Sequence, residues 1–81
     1  MKKYISASNN MSFDEYLEAL KQKLPKTYNW DYDVNVGPDG FRYADFFADD
    51  RVVGEIDDDP NIKLNKAQLK RDVAYLMEEL G

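Results

Sequence analysis

The sequence contains no cysteine and no histidine. Without cysteine there is no disulfide framework and no thiolate chemistry. Without histidine the commonest general base, the commonest transition-metal ligand and the usual pH switch are all missing. No stretch approaches the length of a membrane span, and no apolar run follows the basic start Met1-Lys2-Lys3-Tyr4-Ile5-Ser6, so neither an anchor nor a secretory signal is expected. There is no phosphate-cradling glycine loop, and no nucleophile elbow surrounds Ser6, Ser8 or Ser12. These absences point away from an enzyme, a cofactor, a metal site and a membrane. The expected compartment is the cytoplasm, the cell's own or a host's.

What the chain does have is aromatic residues and acid. Its 81 residues make one domain, 1–81, with no room for a second core. A chain this short buries a modest fraction of its surface, so a few large side chains must carry its stability. Six tyrosines, four phenylalanines and Trp30 supply them. Residues 1–10 show no periodicity and are expected to form a flexible or extended N-terminal segment.

From Met11 to Leu24, Phe13, Tyr16, Leu17, Leu20 and Leu24 recur on one face of a helix. Ser12 followed by Glu15 is a capping box, Met11 and Tyr16 are placed as a hydrophobic staple, and Pro25 ends the helix. From Tyr28 to Val36, Tyr28, Trp30, Tyr32, Val34 and Val36 alternate with Asn29, Asp31, Asp33 and Asn35, which predicts a strand with one apolar and one acidic face. Gly37-Pro38-Asp39-Gly40 is a turn by its residue types. Phe41 to Ala48 predicts a second strand with mixed alternation: Phe41, Tyr43, Asp45 and Phe47 share a face opposite Phe46. A bulge or two partly covered faces would explain it. Asp49-Asp50 turns the chain into a third strand, Arg51 to Ile56, where Gly54 marks a weak point or a close backbone approach. A loop at Asp57–Asn61 precedes a second helix, Asn65 to Leu80, with Asn65 as N-cap, Gln68 three residues on and Leu69, Val73, Leu76, Met77 and Leu80 as its stripe. The expected fold is α+β: helix, three-stranded antiparallel meander, helix, with both helices on the aromatic face.

Charge is unevenly spread. The net charge is −5, but from Asp31 to Asp59 ten acidic residues face only Arg42 and Arg51, a local −8. The remainder is +3. Turns favour aspartate and outer sheet faces must be polar, so any one of these residues has an ordinary explanation. The set is harder to explain that way, because aspartate is depleted in strands and like charges on neighbouring strands repel. Asp31, Asp33, Asp45, Asp49, Asp50, Glu55, Asp57, Asp58 and Asp59 are therefore candidate partner-binding residues, their field directed at a basic surface.

Two other patterns compete. Asp31-x-Asp33-x-Asn35-x-Gly37 approaches a calcium loop, but the glycine is one position late and Arg42 stands where a bidentate glutamate belongs. Alternation along a strand accounts for the same spacing. In the second helix Lys63, Lys66, Lys70 and Arg71 crowd the N-terminal end and Glu78 and Glu79 the C-terminal end, the reverse of what the macrodipole favours. These basic residues are a candidate anion site. The simpler expectation is that Lys66 and Lys70 pair with the nearby acids of the loop or strands.

The element order, with Asn65-Lys66-Ala67-Gln68-Leu69-Lys70 opening the last helix, resembles the double-stranded-RNA-binding domain. That resemblance implies phosphate contacts by Lys66 and Lys70. Ala67 replaces a lysine the family uses, and the domain is acidic where RNA binding wants a basic surface. By size, charge pattern and element order the chain also resembles small acidic phage-encoded inhibitors such as anti-CRISPR proteins. That likeness carries no motif, and implies carboxylates presented where a nuclease expects DNA phosphates. The leading expectation is a non-enzymatic inhibitor or adaptor that occupies a basic surface of a nucleic-acid-handling protein. Direct nucleic-acid binding through the second helix is the alternative, and an oligomer interface built on exposed Tyr75 or Phe46 is a third.

Overall fold

The computed structural model describes residues 10–81, so the N-terminal segment expected over residues 1–10 lies, Asn10 apart, outside the described residues. The elements run α1 (Phe13–Lys23), β1 (Trp30–Val36), β2 (Arg42–Ala48), β3 (Arg51–Asp57) and α2 (Lys66–Leu80). The strands form one antiparallel sheet in the order β1-β2-β3, the meander expected from the turn spacing.

Local chemistry sets the element ends. Ser12 caps α1, its Oγ accepting from the Glu15 amide while Glu15 accepts from the Ser12 amide, so two orphan donors are satisfied together. The Glu15 carboxyl is held below its ordinary value by those bonds. Leu24 is extended before Pro25, whose carbonyl accepts from Trp30 Nε1 at 3.0 Å. Asp49 and Asp50 both adopt positive φ, 50° and 69°, as a two-residue primed hairpin turn demands and as aspartate tolerates better than most residues. Asn65 caps α2 by accepting from the Gln68 amide.

The core lies between the helices and one face of the sheet. Phe13, Tyr16, Leu17, Leu20 and Leu24 of the first helical segment meet Trp30, Ala44, Phe46, Ala48 and Ile56 of the sheet, Leu64 of the loop before α2, and Leu69 and Leu76 of α2. Ala44 and Ala48 flank Phe46, leaving room for helices to approach the central strand. Tyr32 stacks on Phe46 with ring centroids 5.3 Å apart. Phe46 is fully buried, so it cannot serve the exposed interface considered for it; of that pair only Tyr75 reaches the surface. The two helices are also joined through Asp72, which accepts from the Tyr16 hydroxyl and from Gln68 Nε2. Burial and that bond push the Tyr16 phenol far up.

Coverage of the aromatic face is incomplete. Along β1 the exposure climbs from 5% at Trp30 to 39% at Val34 and 67% at Val36. The helices protect the Trp30 end and stop short of the other. There Arg42 takes the place of a helix residue, lying 5.1 Å over the Phe13 ring and pairing with Asp14 and Asp58.

β3 departs from regular pairing. Phe46 faces Gly54 and Phe47 faces Val52, so Val53 is an extra residue. The bulge considered for the second strand is thus carried by its partner. Gly54 is a close approach: a β-carbon there would lie 2.9 Å from Tyr75 Oη and 3.0 Å from Leu76 Cδ2.

Candidate protein-binding face

Period-two alternation turns Asp31, Asp33, Asn35, Tyr43, Asp45, Phe47, Val52, Glu55 and Asp57 to the face away from the core. The register arranges them in three rows across the sheet. Asp31, Phe47 and Val52 form one, Asp33, Asp45 and Glu55 the next, and Asn35, Tyr43 and Asp57 the third. The middle row places three carboxylates side by side on three strands, and none of them pairs with a cation among the described residues.

This arrangement costs free energy, because directly opposed like charges repel. Glu55, at the β3 end of the row, has its carboxyl held above its ordinary value. A hydrogen bond shared with Asp57 is the main cause, followed by partial desolvation and the charges of Asp57 and Asp45. Among the described residues Asp31, at the edge, is the one member of the face in an ion pair: with Lys21 of α1, at 3.8 Å between exposed groups. Such a pair is worth little.

The remaining candidate acids are engaged elsewhere. Asp49 ties the start of β1 to the hairpin, accepting from the Asn29 amide and donating its own amide to the Asn29 carbonyl. Asp50 is the other residue of that turn. Asp58 pairs with Arg42 on the helix side, and Asp59 closes its own turn by accepting from the Asn61 amide. The nine sequence candidates therefore separate into five on the open face and four in turns and loops beside it. A cleft of about 500 Å³ lies where face and loops meet, lined by Asp39, Phe41, Tyr43, Glu55, Asp57 and Asp59 among others.

Tyr43 and Phe47 were not among the candidates, yet each stands two residues from Asp45 and half-buried on the same face. Their shared parity with Asp45 was the signal. They add flat apolar surface between the carboxylate rows.

The basic residues of α2 do not behave as the simpler expectation held. Among the described residues the ion pairs are Lys21–Asp31, Arg42–Asp14 and Arg42–Asp58, and neither Lys66 nor Lys70 takes part. They lie instead with Lys23 around a groove of about 310 Å³ floored by Leu69 and Val73. Helical spacing puts residues 66, 69, 70 and 73 on the α1 side, away from the 57–59 loop. Arg71 bonds Gln68, and Lys63 is exposed in the preceding loop.

Among the described residues no three His, Cys, Asp or Glu side chains converge as metal ligands, and no helix is long and apolar enough to cross a membrane. Asp31, Asp33 and Asn35 lie along β1 rather than in a loop that could wrap calcium. No protein-family model, curated protein or solved structure matches the chain.

Proposed function

We propose that this chain is a non-enzymatic binding protein, an inhibitor or adaptor, whose acidic sheet face occupies a basic surface of a nucleic-acid-handling protein. The observation that carries the reading is the row Asp33–Asp45–Glu55, which runs across all three strands and takes part in no ion pair among the described residues. A domain of this size has little stability to spare, so a standing repulsion calls for a return outside the fold. Lysine and arginine side chains that hold phosphates would find charge-assisted partners in these carboxylates, and Tyr43 and Phe47 offer rings to guanidinium planes. The mechanism is occlusion: while the face is engaged, the partner's phosphate-binding groups are filled.

Titration against purified DNA- and RNA-binding proteins at low and physiological salt tests this. Neutralising the row with Asp33→Asn, Asp45→Asn and Glu55→Gln should weaken binding about tenfold or more and flatten its salt dependence. Unchanged affinity and an unchanged salt slope would sink the reading. The same titrations with duplex and single-stranded RNA and DNA decide a second reading, favoured by the lysines around the α1–α2 groove, which pair with no acid among the described residues. In it Lys63, Lys66, Lys70 and Arg71 bind phosphates directly, and no retention of nucleic acid at low salt removes it.

A further inference from the structure

The two edges of the sheet are finished differently. The β3 edge is closed by its bulge, by Gly54 lying under Tyr75 and Leu76, and by the Glu55 amide reaching the Tyr75 hydroxyl at 3.4 Å. No described strand pairs with the outer side of β1.

The direction of the β1 main chain follows from its two ends. Asn29 accepts from the Asp49 amide at 3.0 Å, and the Gly37 amide donates to the Phe41 carbonyl at 2.8 Å, so both face β2. Main-chain groups alternate in an antiparallel ladder. Asp31, Asp33 and Asn35 therefore bond to β2, while Trp30, Tyr32, Val34 and Val36 turn their amides and carbonyls outward. The Tyr32 amide is closed by the Asp31 side chain at 2.9 Å. Among the described residues the amides of Val34 and Val36 have no such cover, and these are the two residues whose side chains the helices leave exposed.

We propose that the Val34–Val36 edge of β1 accepts an extended segment of a partner protein as a fourth strand, one whose residues alternate basic and apolar. The apolar residues would cover Val34 and Val36 on the helix side. The basic ones would stand beside Asp31 and Asp33 on the open face, where cross-strand pairing of opposite charge is favourable. Charge complementarity selects this occupant over a second copy of the chain, because antiparallel self-pairing of β1 would set its aspartates against one another. The proposal rests on the acidic-face reading and adds to it how the partner's cations are presented.

Fluorescence polarisation with the full chain tests it, using a labelled peptide of alternating arginine and valine. Its comparators are a block-ordered peptide of the same composition and two alternating peptides N-methylated on opposite sets of amides. Because every second amide faces β1, methylation of one set should cost about tenfold or more in affinity, and methylation of the other little. Val34→Pro removes an outward donor at an edge position that tolerates proline, and should weaken the alternating peptide while leaving thermal stability near wild type.

Equal binding of alternating and block peptides, with N-methylation of either set silent, would overturn strand addition while leaving the acidic face intact. If peptide order and methylation matter but the triple neutralisation does not, strand addition stands and the acidic-face reading falls. Failure of every peptide to bind overturns this proposal. So does a dimer in sedimentation that Val34→Pro dissolves, which would assign the edge to a second copy.

Discussion

β1 and β3 flank the same central strand, and their sequences differ more in punctuation than in polarity. β3 carries Gly54, and the chain after it returns as α2 directly over that glycine. β1 carries no glycine, keeps strict alternation and is left by the helices at Val34. A bulge and a tight helix contact use up β3 as a pairing surface, whereas regularity leaves β1 usable. Both edges bear acids on the open face, so charge alone does not separate them; main-chain access does.

The largest effect should come from breaking the closed edge. Gly54→Ala places a β-carbon against Leu76, which is fully buried and has nowhere to move, and overpacking of this kind costs about 1–3 kcal/mol. Urea denaturation reads it as a lower midpoint. An unchanged midpoint would rule out a tight contact between α2 and β3 at this position.

A smaller effect of opposite sign is expected in the carboxylate row that both edges share. Asp45→Asn removes the central charge between Asp33 and Glu55 and should stabilise the fold by about 0.2–1 kcal/mol. The Glu55 carboxyl is held above its ordinary value of 4.5, so the folded state binds that proton more tightly than the unfolded chain does. Its contribution is fully present below the ordinary value and is lost as pH rises through the raised one. Glu15 runs the other way, its depressed value adding stability that is lost as pH falls. Asp57→Asn, which removes the main cause, should flatten the Glu55 component, and Asp45→Asn should lessen it only slightly. Both should leave the Glu15 component unchanged, as thermal melts across the acid range would show.

The smallest effect belongs to the open edge itself. Val36→Ala removes an exposed side chain, and equilibrium unfolding should change by no more than about 0.5 kcal/mol. A larger loss would show that the Val36 side chain is covered in solution.

Much of this was legible in the residues. The capping box, the proline stop, the aspartate hairpin turn and the alternation of Asp31, Asp33 and Asn35 are local signals, and each element forms within a residue or two of where its signal lies. The close approach at Gly54 was legible as a position, though not the Tyr75 and Leu76 contacts that require it. The cross-strand row was not legible, since it depends on the register that joins three separate segments. Nor were the loss of Asp58 to Arg42, the burial of Phe46 and the link from Tyr16 to Asp72 across 56 residues.

By itself the sequence determined the element types, their order, and the opposition of an aromatic to an acidic face, because periodicity and capping act over a few neighbouring residues. Only the tertiary structure decided which acids stand together, which are held by turns and which strand edge stays open. Those depend on where helices of limited length come to rest on the sheet, and a helix of about 1.5 Å rise per residue covers less of a face than an equal number of strand residues presents. The Val34–Val36 end of β1 is what that difference leaves uncovered.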